Sequence, residues 1–258
     1  MQDNKSAARL KVLGVLEDRL LITGNLKFDV TEPTDISAKI AEIDGLVALS
    51  QSRVIVAGST ARGEEELLVH TFRNLLGQYP NRTLRLVLAP RHPERFDEVE
   101  AILARSHLSW VRRTKAGDDP KAKKCLVILL DTIGELAAVY SLAEVAFVGG
   151  SLVPVGGHNV LEPALYGKPI IVGPYTSNFE VIVKSLLDQE AILQLSNAPR
   201  AKQCHQLLAT LIDLLDNPVK ARRLGNRAKQ ILIQNQGATH RTLEAIAPLI
   251  DMQCNPKG

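Results

Sequence analysis

Four stretches of this 258-residue sequence combine residue types and spacings suited to gripping a small anionic ligand. In Ala89-Pro90-Arg91-His92-Pro93-Glu94-Arg95 the guanidinium of Arg91 is bracketed by prolines, and such a fork can lie flat on a phosphate or a carboxylate. A capped helix with Arg91 paired to a neighbouring acid is the competing reading. In Asp131-Thr132-Ile133-Gly134-Glu135-Leu136 a helix begins, with Asp131 or Thr132 as its cap. The N–H groups freed at Ile133 and Gly134, together with Glu135, would hold a ligand at that helix start, unless the segment is a cap and nothing more.

The longest such stretch is Gly149-Gly150-Ser151-Leu152-Val153-Pro154-Val155-Gly156-Gly157-His158-Asn159-Val160-Leu161-Glu162-Pro163. Its two glycine pairs allow N–H groups around Gly150, Ser151 and Gly157 to turn inward as a nest for phosphate, and the helix that follows adds its positive end. Asn159 and Glu162 are three apart and share a helix face, where an amide and a carboxylate could take phosphate and ribose hydroxyls in turn. The same spacing satisfies a capping box. His158 reads as a hydrogen-bonding loop residue before it reads as a catalyst. The fourth stretch, Gly173-Pro174-Tyr175-Thr176-Ser177-Asn178-Phe179, reads as a turn and cap. None of these is a G-x-x-x-x-G-K-[ST] phosphate loop or a G-x-G-x-x-G turn, which argues against a nucleoside triphosphatase and a nicotinamide enzyme.

The elements that must carry these segments alternate between short apolar runs and longer stretches of helical period. The expected strands are Arg53 to Ala57, Leu84 to Leu88, Leu126 to Leu130, Val145 to Val148, Pro169 to Val172 and Ala191 to Leu195, with a shorter one at Ser109 to Val111. Their near-continuous apolarity predicts a parallel sheet covered on both faces by crossover helices. Those helices are expected over Glu64 to Tyr79, Pro93 to Ser106, Gly134 to Leu142, Asn159 to Tyr166 and Asn178 to Gln189. In such a doubly wound α/β fold, ligands bind beyond the carboxyl ends of the strands, where the four segments fall. Helices are further expected at Ser6 to Gly14, Ala201 to Leu215, Pro218 to Gln234 and Ala238 to Ala247, the last ended by Pro248. A strand is expected at Arg19 to Thr23, and a fraying tail at the end of the chain, Met252 to Gly258.

Composition narrows the function. The sequence is 45% hydrophobic and 23% charged, which excludes disorder, and 31 basic against 28 acidic residues leave a net charge of +3 with no footprint for a nucleic acid. Cys125, Cys204 and Cys254 are odd in number and far apart, so neither a disulfide framework nor a zinc site is suggested and a reducing compartment fits. No run is long enough to span a bilayer, and the chain is expected to be soluble.

Taken in order, Gly24-Asn25-Leu26-Lys27-Phe28-Asp29, the Pro90-Arg91 segment, the Asp131 to Leu136 segment and the run from Val148 to Pro163 resemble the Kdo transferases of lipid A assembly. These move 3-deoxy-D-manno-octulosonic acid (Kdo) from CMP-Kdo to a lipid A precursor. The resemblance covers the C-terminal portion of that family and implies the second Rossmann-like domain of a GT-B glycosyltransferase. It implies that CMP is held by Pro90 and Arg91, by Ile133, Gly134 and Glu135, and by Asn159, Val160, Leu161 and Glu162, with Gly150, Ser151 and Gly157 alongside. It implies Lys27 as a transition-state stabiliser, no metal and no other cofactor.

Residues 1–30 are expected to be a remnant of an N-terminal half, 31–200 the donor-binding domain, and 201–258 helices packed on it. The acceptor site and the catalytic base belong, by the resemblance, to that N-terminal half, as does any attachment to the cytoplasmic face of the inner membrane. The chain is therefore expected to be cytoplasmic and inactive alone, as a fragment, a split enzyme needing a partner or a binding-only remnant, with an N-terminal partner domain or a homodimer as its expected assembly. A UDP-sugar enzyme of the same fold and a non-catalytic nucleotide-binding module are the alternatives.

Overall fold

The structure, a computed structural model, describes the backbone of residues 1–80 and 83–254. It divides into two compact units, Met1–Thr31 with Gln230–Gly258, and Glu32–Lys229. In chain order the helices and strands are α1 (Asn4–Val12), α2 (Ile36–Val47), β1 (Arg53–Thr60), α3 (Glu65–Gln78), β2 (Leu84–Pro90), α4 (Phe96–Ala104), β3 (Trp110–Arg112) and β4 (Val127–Leu129). There follow α5 (Leu136–Leu142), β5 (Val145–Val148), α6 (Leu161–Leu165), β6 (Ile170–Val172), α7 (Glu180–Asp188), β7 (Leu193–Gln194), α8 (Arg200–Asp216), α9 (Pro218–Asn235) and α10 (Ala238–Cys254).

The larger unit is the expected doubly wound α/β fold. Seven parallel strands lie in the order β3-β4-β2-β1-β5-β6-β7. Alternation along each strand divides the apolar residues between two cores. Ile55, Ala57, Leu86, Leu88, Val145 and Phe147 face α3, α4 and α8 through Phe72, Leu103 and Leu211. Val54, Val56, Val87, Ile128 and Ala146 face α2 and α5 through Ile43, Val47 and Val139. Covering both faces is what continuous apolar strands require, and it leaves only the strand ends open for a ligand.

In the smaller unit, the Asp3 carboxylate accepts from Ser6 N (2.6 Å) and caps α1, and Asp29 accepts from the N–H groups of Gly237 and Thr239 to cap α10.

Three expectations fail here. Arg19 to Thr23 is not a strand: a 3-10 turn at Glu17–Arg19 leads into irregular chain whose Leu21 and Ile22 are exposed, with no ladder to join. Pro248 does not end the last helix, which runs on through it although proline forfeits the bond its N–H would have made and crowds the preceding turn. The helix α2 lies outside the expected elements, although Ile36, Ile40, Ile43 and Val47 recur at i, i+4, i+7 and i+11 and line one helical face. Of the tail expected to fray, Met252 to Cys254 continue the last helix, while residues 255–258, and the thiol of Cys254, lie outside the described residues. Among the described residues no helix is long and apolar enough to cross a membrane.

Candidate functional site

The carboxyl ends of β1, β2 and β4 frame a cleft of about 300 Å³, lined by Ser59, Pro90, Arg91, His92, Thr132, Ile133 and Gly134 among others. Pro90 is the buried last residue of β2, and Arg91 N donates to Thr60 O at 3.0 Å, so the strand end is tied to β1 before the chain leaves the sheet. That tie presents the Arg91 guanidinium, which is exposed, at the cleft rim.

Opposite, Gly134 adopts φ +85°, a conformation that favours glycine, and its carbonyl accepts from Lys39 Nζ at 3.1 Å. The turn so fixed turns Ile133 outward, 83% exposed, giving the cleft an apolar wall. Glu135 does not join it. Its carboxylate is buried and accepts from Arg113 Nη2 (2.8 Å) and Thr132 Oγ1 (2.5 Å), so the side chain expected to hold a ligand is committed to an internal ion pair. Asp131 is likewise engaged, by Thr114 N (3.0 Å), Thr114 Oγ1 (2.6 Å) and Arg112 Nε (3.0 Å), and does not cap the helix.

The glycine loop departs furthest from expectation. The N–H groups of Gly150, Ser151 and Leu152 do turn inward as a nest, but they donate to the carboxylate of Glu64 at 2.8, 2.9 and 2.8 Å. Ala61 N supplies a fourth bond to the same carboxylate at 2.8 Å. The anion in the nest is therefore the protein's own side chain, carried by the β1–α3 turn. Burial pushes its carboxyl up from the ordinary value, against the pull of the four amides. Gly157 N donates to Gly150 O (2.7 Å) and His158 N to Gly149 O (3.2 Å), closing the loop on itself. The Ser151 hydroxyl accepts from Gly173 N at 2.8 Å, so Gly150, Ser151 and Gly157 act here as loop architecture and not as phosphate donors.

Beyond the loop, Asn159 Oδ1 accepts from Leu161 N (3.1 Å) and Asn159 Nδ2 donates to Glu162 Oε1 (3.3 Å), which brings the amide and carboxylate together as expected. Val160 and Leu161 between them are buried and pack inward. Burial raises the Glu162 carboxyl above its ordinary value, while Asn159 and the charge of Arg91 pull it down. Arg91 and Glu162 thus feel one another across the strand ends.

Tyr140, fully buried on α5, also faces Glu162, and burial followed by that carboxylate pushes its phenol well above the ordinary tyrosine value. Gly58 makes room for it, since a Cβ there would lie 2.0 Å from the phenol oxygen. The ring of His158 lies over Gly150, at 2.8 Å from where a Cβ would stand. Burial first, then Arg91 and His92, hold its imidazole below the usual value.

The sign of that shift gives a test. A base whose folded pKa is depressed contributes stability that is complete above its unfolded value, about 6.5, and is lost as pH falls through the folded value. Glu162 runs the other way: its contribution is complete below about pH 4.3 and is lost as pH rises through its folded value. Urea unfolding from about pH 8 to about pH 5 should therefore show the wild type losing stability relative to His158→Gln as pH falls below about 6.5. A difference that stays constant across that range would show that the imidazole is not desolvated.

Lys27 stands in the smaller unit, on the 3-10 turn Leu26–Phe28, whose start is capped by Asn25 Oδ1 accepting from Lys27 N at 3.0 Å. Sequence reasoning missed the acids of the β1–α3 turn. Beside Glu64, the fully buried Glu65 pairs with Arg95 through two bonds of 2.6 and 3.0 Å and accepts from Thr60 Oγ1 at 2.9 Å. The available signal was two adjacent carboxylates directly after the first strand of the sheet, where ligand-binding turns of such folds lie.

No protein-family model matches the chain. It is 38% identical, over 253 residues, to the 3-deoxy-D-manno-octulosonic acid transferase of Haemophilus influenzae, with 97% of this chain and 56% of that protein covered. The chain thus spans little more than half the length of that curated relative. Its structure is similar to the C-terminal CMP-Kdo binding domain of WaaA from Acinetobacter baumannii, at TM-score 0.68 and 32% identity, over 78% of this chain and 99% of that one. The C-terminal domain of a group 1 family glycosyl transferase from Francisella tularensis aligns at TM-score 0.53 and 14% identity over 83% of this chain and 98% of that one, and shares the fold alone. The sheet unit therefore has the fold of GT-B glycosyltransferase C-terminal domains. With 38% identity along nearly its whole length, and 32% identity to a domain that it covers almost end to end, the chain belongs to the Kdo transferase family and matches its C-terminal portion.

Proposed function

We propose that this chain is the CMP-Kdo-binding portion of a Kdo transferase that glycosylates a lipid A precursor. One observation carries the reading: the strand ends bring a rim-exposed arginine, an apolar turn and a half-buried carboxylate within electrostatic reach of one another. In this reading the phosphate of CMP pairs with Arg91, the base lies against Ile133 beside the Gly134 turn, and ribose hydroxyls donate to Glu162, which Asn159 orients. Negative charge grows on CMP as the glycosidic bond breaks, and the guanidinium at the cleft rim stabilises it without metal or other cofactor. Lys27 takes the role of a second stabilising cation on the family resemblance alone. The acceptor, the base that deprotonates its hydroxyl and the attachment to the cytoplasmic face of the inner membrane belong to the part of the family that this stretch does not span, so transfer requires that part.

Calorimetric titration of CMP, with UMP as the control, tests the reading. CMP should bind more tightly than UMP, and Arg91→Ala and Glu162→Ala should each weaken it by about 1–3 kcal/mol, roughly 5- to 150-fold, as for a lost polar contact to a charged group. Preference for UMP would move the assignment to a UDP-sugar enzyme of the same fold, and equal affinity in wild type and variants would remove the cleft from nucleotide binding.

A further inference from the structure

Among the described residues, four that are not glycine hold φ in the left-handed region: Ala48, Ser59, His107 and Glu190. Three of them follow helices, where the chain commonly turns that way, but Ser59, at φ +54°, stands within β1. The ladder breaks at the same place. Gly58 pairs with Ala89 of β2 and with Val148 of β5, Thr60 pairs with Pro90, and Ser59 between them faces no partner on either side. It is a one-residue bulge at the carboxyl end of the strand, and a bulge re-aims the side chain it carries. With β2 on one side of β1 and β5 on the other, this is also the switch point at which open α/β sheets take their ligands.

Its neighbours hold the bulge in place. Thr60 is fully buried, its hydroxyl bonded to Glu65 Oε1 at 2.9 Å and its carbonyl accepting from Arg91 N at 3.0 Å. Gly149 lies directly against the other side, where a Cβ would stand 2.5 Å from Ser59 O. Glycine would take φ +54° without the clash that a Cβ brings, so the serine side chain stands there at a cost in stability. Along β1 only Arg53, at the opposite end, and Ser59 are not buried. The Ser59 hydroxyl has no hydrogen-bond partner among the described residues, and the residue lines the same cleft as Pro90, Arg91 and Ile133.

A strained backbone, a hydroxyl with no internal partner and a place in the cleft with Arg91 converge on one role. We propose that Ser59 is a second phosphate-contacting residue, its hydroxyl donating to an oxygen of the nucleotide phosphate left free by Arg91; the identity of that nucleotide as CMP rests on the donor-binding reading. A phosphate offers more acceptor sites than one guanidinium edge can fill, and a hydroxyl adds a donor without adding charge. Because the bulge is fixed by the sheet, the donor is aimed before the ligand arrives and needs no rearrangement as negative charge gathers on the departing phosphate.

Calorimetric titration of the full chain with CMP and with cytidine, in the wild type, Ser59→Ala and Ser59→Gly, tests the assignment. Ser59→Ala keeps the strained φ and removes only the hydroxyl, whereas Ser59→Gly removes the hydroxyl and the strain together. Each should bind CMP about tenfold more weakly, as for a lost bond to a charged group, and cytidine, which has no phosphate, as tightly as the wild type. Ser59→Gly should match or exceed Ser59→Ala in its urea midpoint, so that its loss of CMP is not a loss of folding. Unchanged CMP affinity in both variants, or an equal loss for cytidine, would overturn the assignment and leave the donor-binding reading standing. A wild type that binds neither ligand would remove that reading and the assignment with it.

Discussion

Replacing Glu64 with alanine should cost about 4 kcal/mol of stability or more, and the loss should appear first as release of the glycine loop. The wild-type carboxylate is fully buried and accepts from four backbone N–H groups, at Ala61, Gly150, Ser151 and Leu152. The last three belong to a different strand end, so one side chain closes the β1–α3 turn onto the loop that follows β5. Alanine leaves four donors without acceptors, each at about 1–3 kcal/mol if water cannot reach it, partly offset by no longer burying an anion. Against a typical total of about 5–15 kcal/mol that is a large fraction.

Glu64→Gln separates the two contributions. It keeps the volume and one acceptor oxygen but turns an NH₂ toward N–H donors, so it should fall between alanine and wild type. Urea unfolding of the three proteins measures the ranking. A loss below about 1 kcal/mol for Glu64→Ala would mean that water hydrates the nest and that the loop does not depend on the buried carboxylate. Because the His158 ring lies over Gly150, the variants that remain folded should also lose CMP affinity, although neither replaces a residue of the cleft itself.

The same residue shows where a sequence stops being legible. The glycine pairs of the loop correctly announce an inward-facing nest, since only glycine freely takes the positive φ angles found at Gly150, Gly156 and Gly157. What fills the nest cannot be read from the loop, because the acceptor comes from a position 86 residues earlier in the chain. The strand ends were legible for a simpler reason: a parallel strand buried on both faces is a continuous apolar run, and whatever follows it must emerge at the ligand-binding edge. That logic placed Pro90, Arg91, Ile133 and Gly134 around one cleft. It could not show that Glu135, adjacent in sequence, is turned to Arg113, a residue 22 positions away. Local spacing says which backbone groups are available. Tertiary partners decide which side chains are still unspent.

Arg85 is the extreme of that rule and the site of the second large effect. Within Leu84-Arg85-Leu86 it looks like one polar step in a strand, yet it is 2% exposed and sits in the middle of the sheet. Its guanidinium has no hydrogen-bonded carboxylate among the described residues. Instead Nε donates to Cys125 O at 2.7 Å, Nη2 to Ala122 O at 2.9 Å and Nη1 to Val47 O. Burial holds its pKa below the usual arginine value.

Each accepting carbonyl ends or begins a segment: Val47 is the last residue of α2, Ala122 opens the 3-10 turn Ala122–Lys124, and Cys125 leads into β4. One side chain therefore satisfies the carbonyls of Val47 and Cys125, one at a helix end and one before its strand, and adds a second bond to Ala122 O, which already accepts from Cys125 N at 3.3 Å. It does so from the strand that ends in Pro90, beside the strand that leads to Ile133 and Gly134.

Arg85→Met keeps much of the apolar stem but supplies no donor; Ala122 O keeps its bond from Cys125 N, and the stranded carbonyls of Val47 and Cys125 should cost about 2 kcal/mol or more. The analogy with buried ion pairs that tolerate apolar replacement fails, because here only one partner can be removed and the carbonyls belong to the backbone. Arg85→Lys should recover part of the loss, since an ammonium has three donors but lacks the planar spread needed to meet all three oxygens. Chemical unfolding gives the ranking, and CMP titration of the folded fraction gives its consequence. If β2 and β4 are held in register by this guanidinium, Arg85→Met should weaken CMP although the residue lies a full strand length from the cleft. A variant as stable as wild type, with CMP affinity unchanged, would mean that the carbonyls find water and that packing alone sets the spacing of the two strand ends.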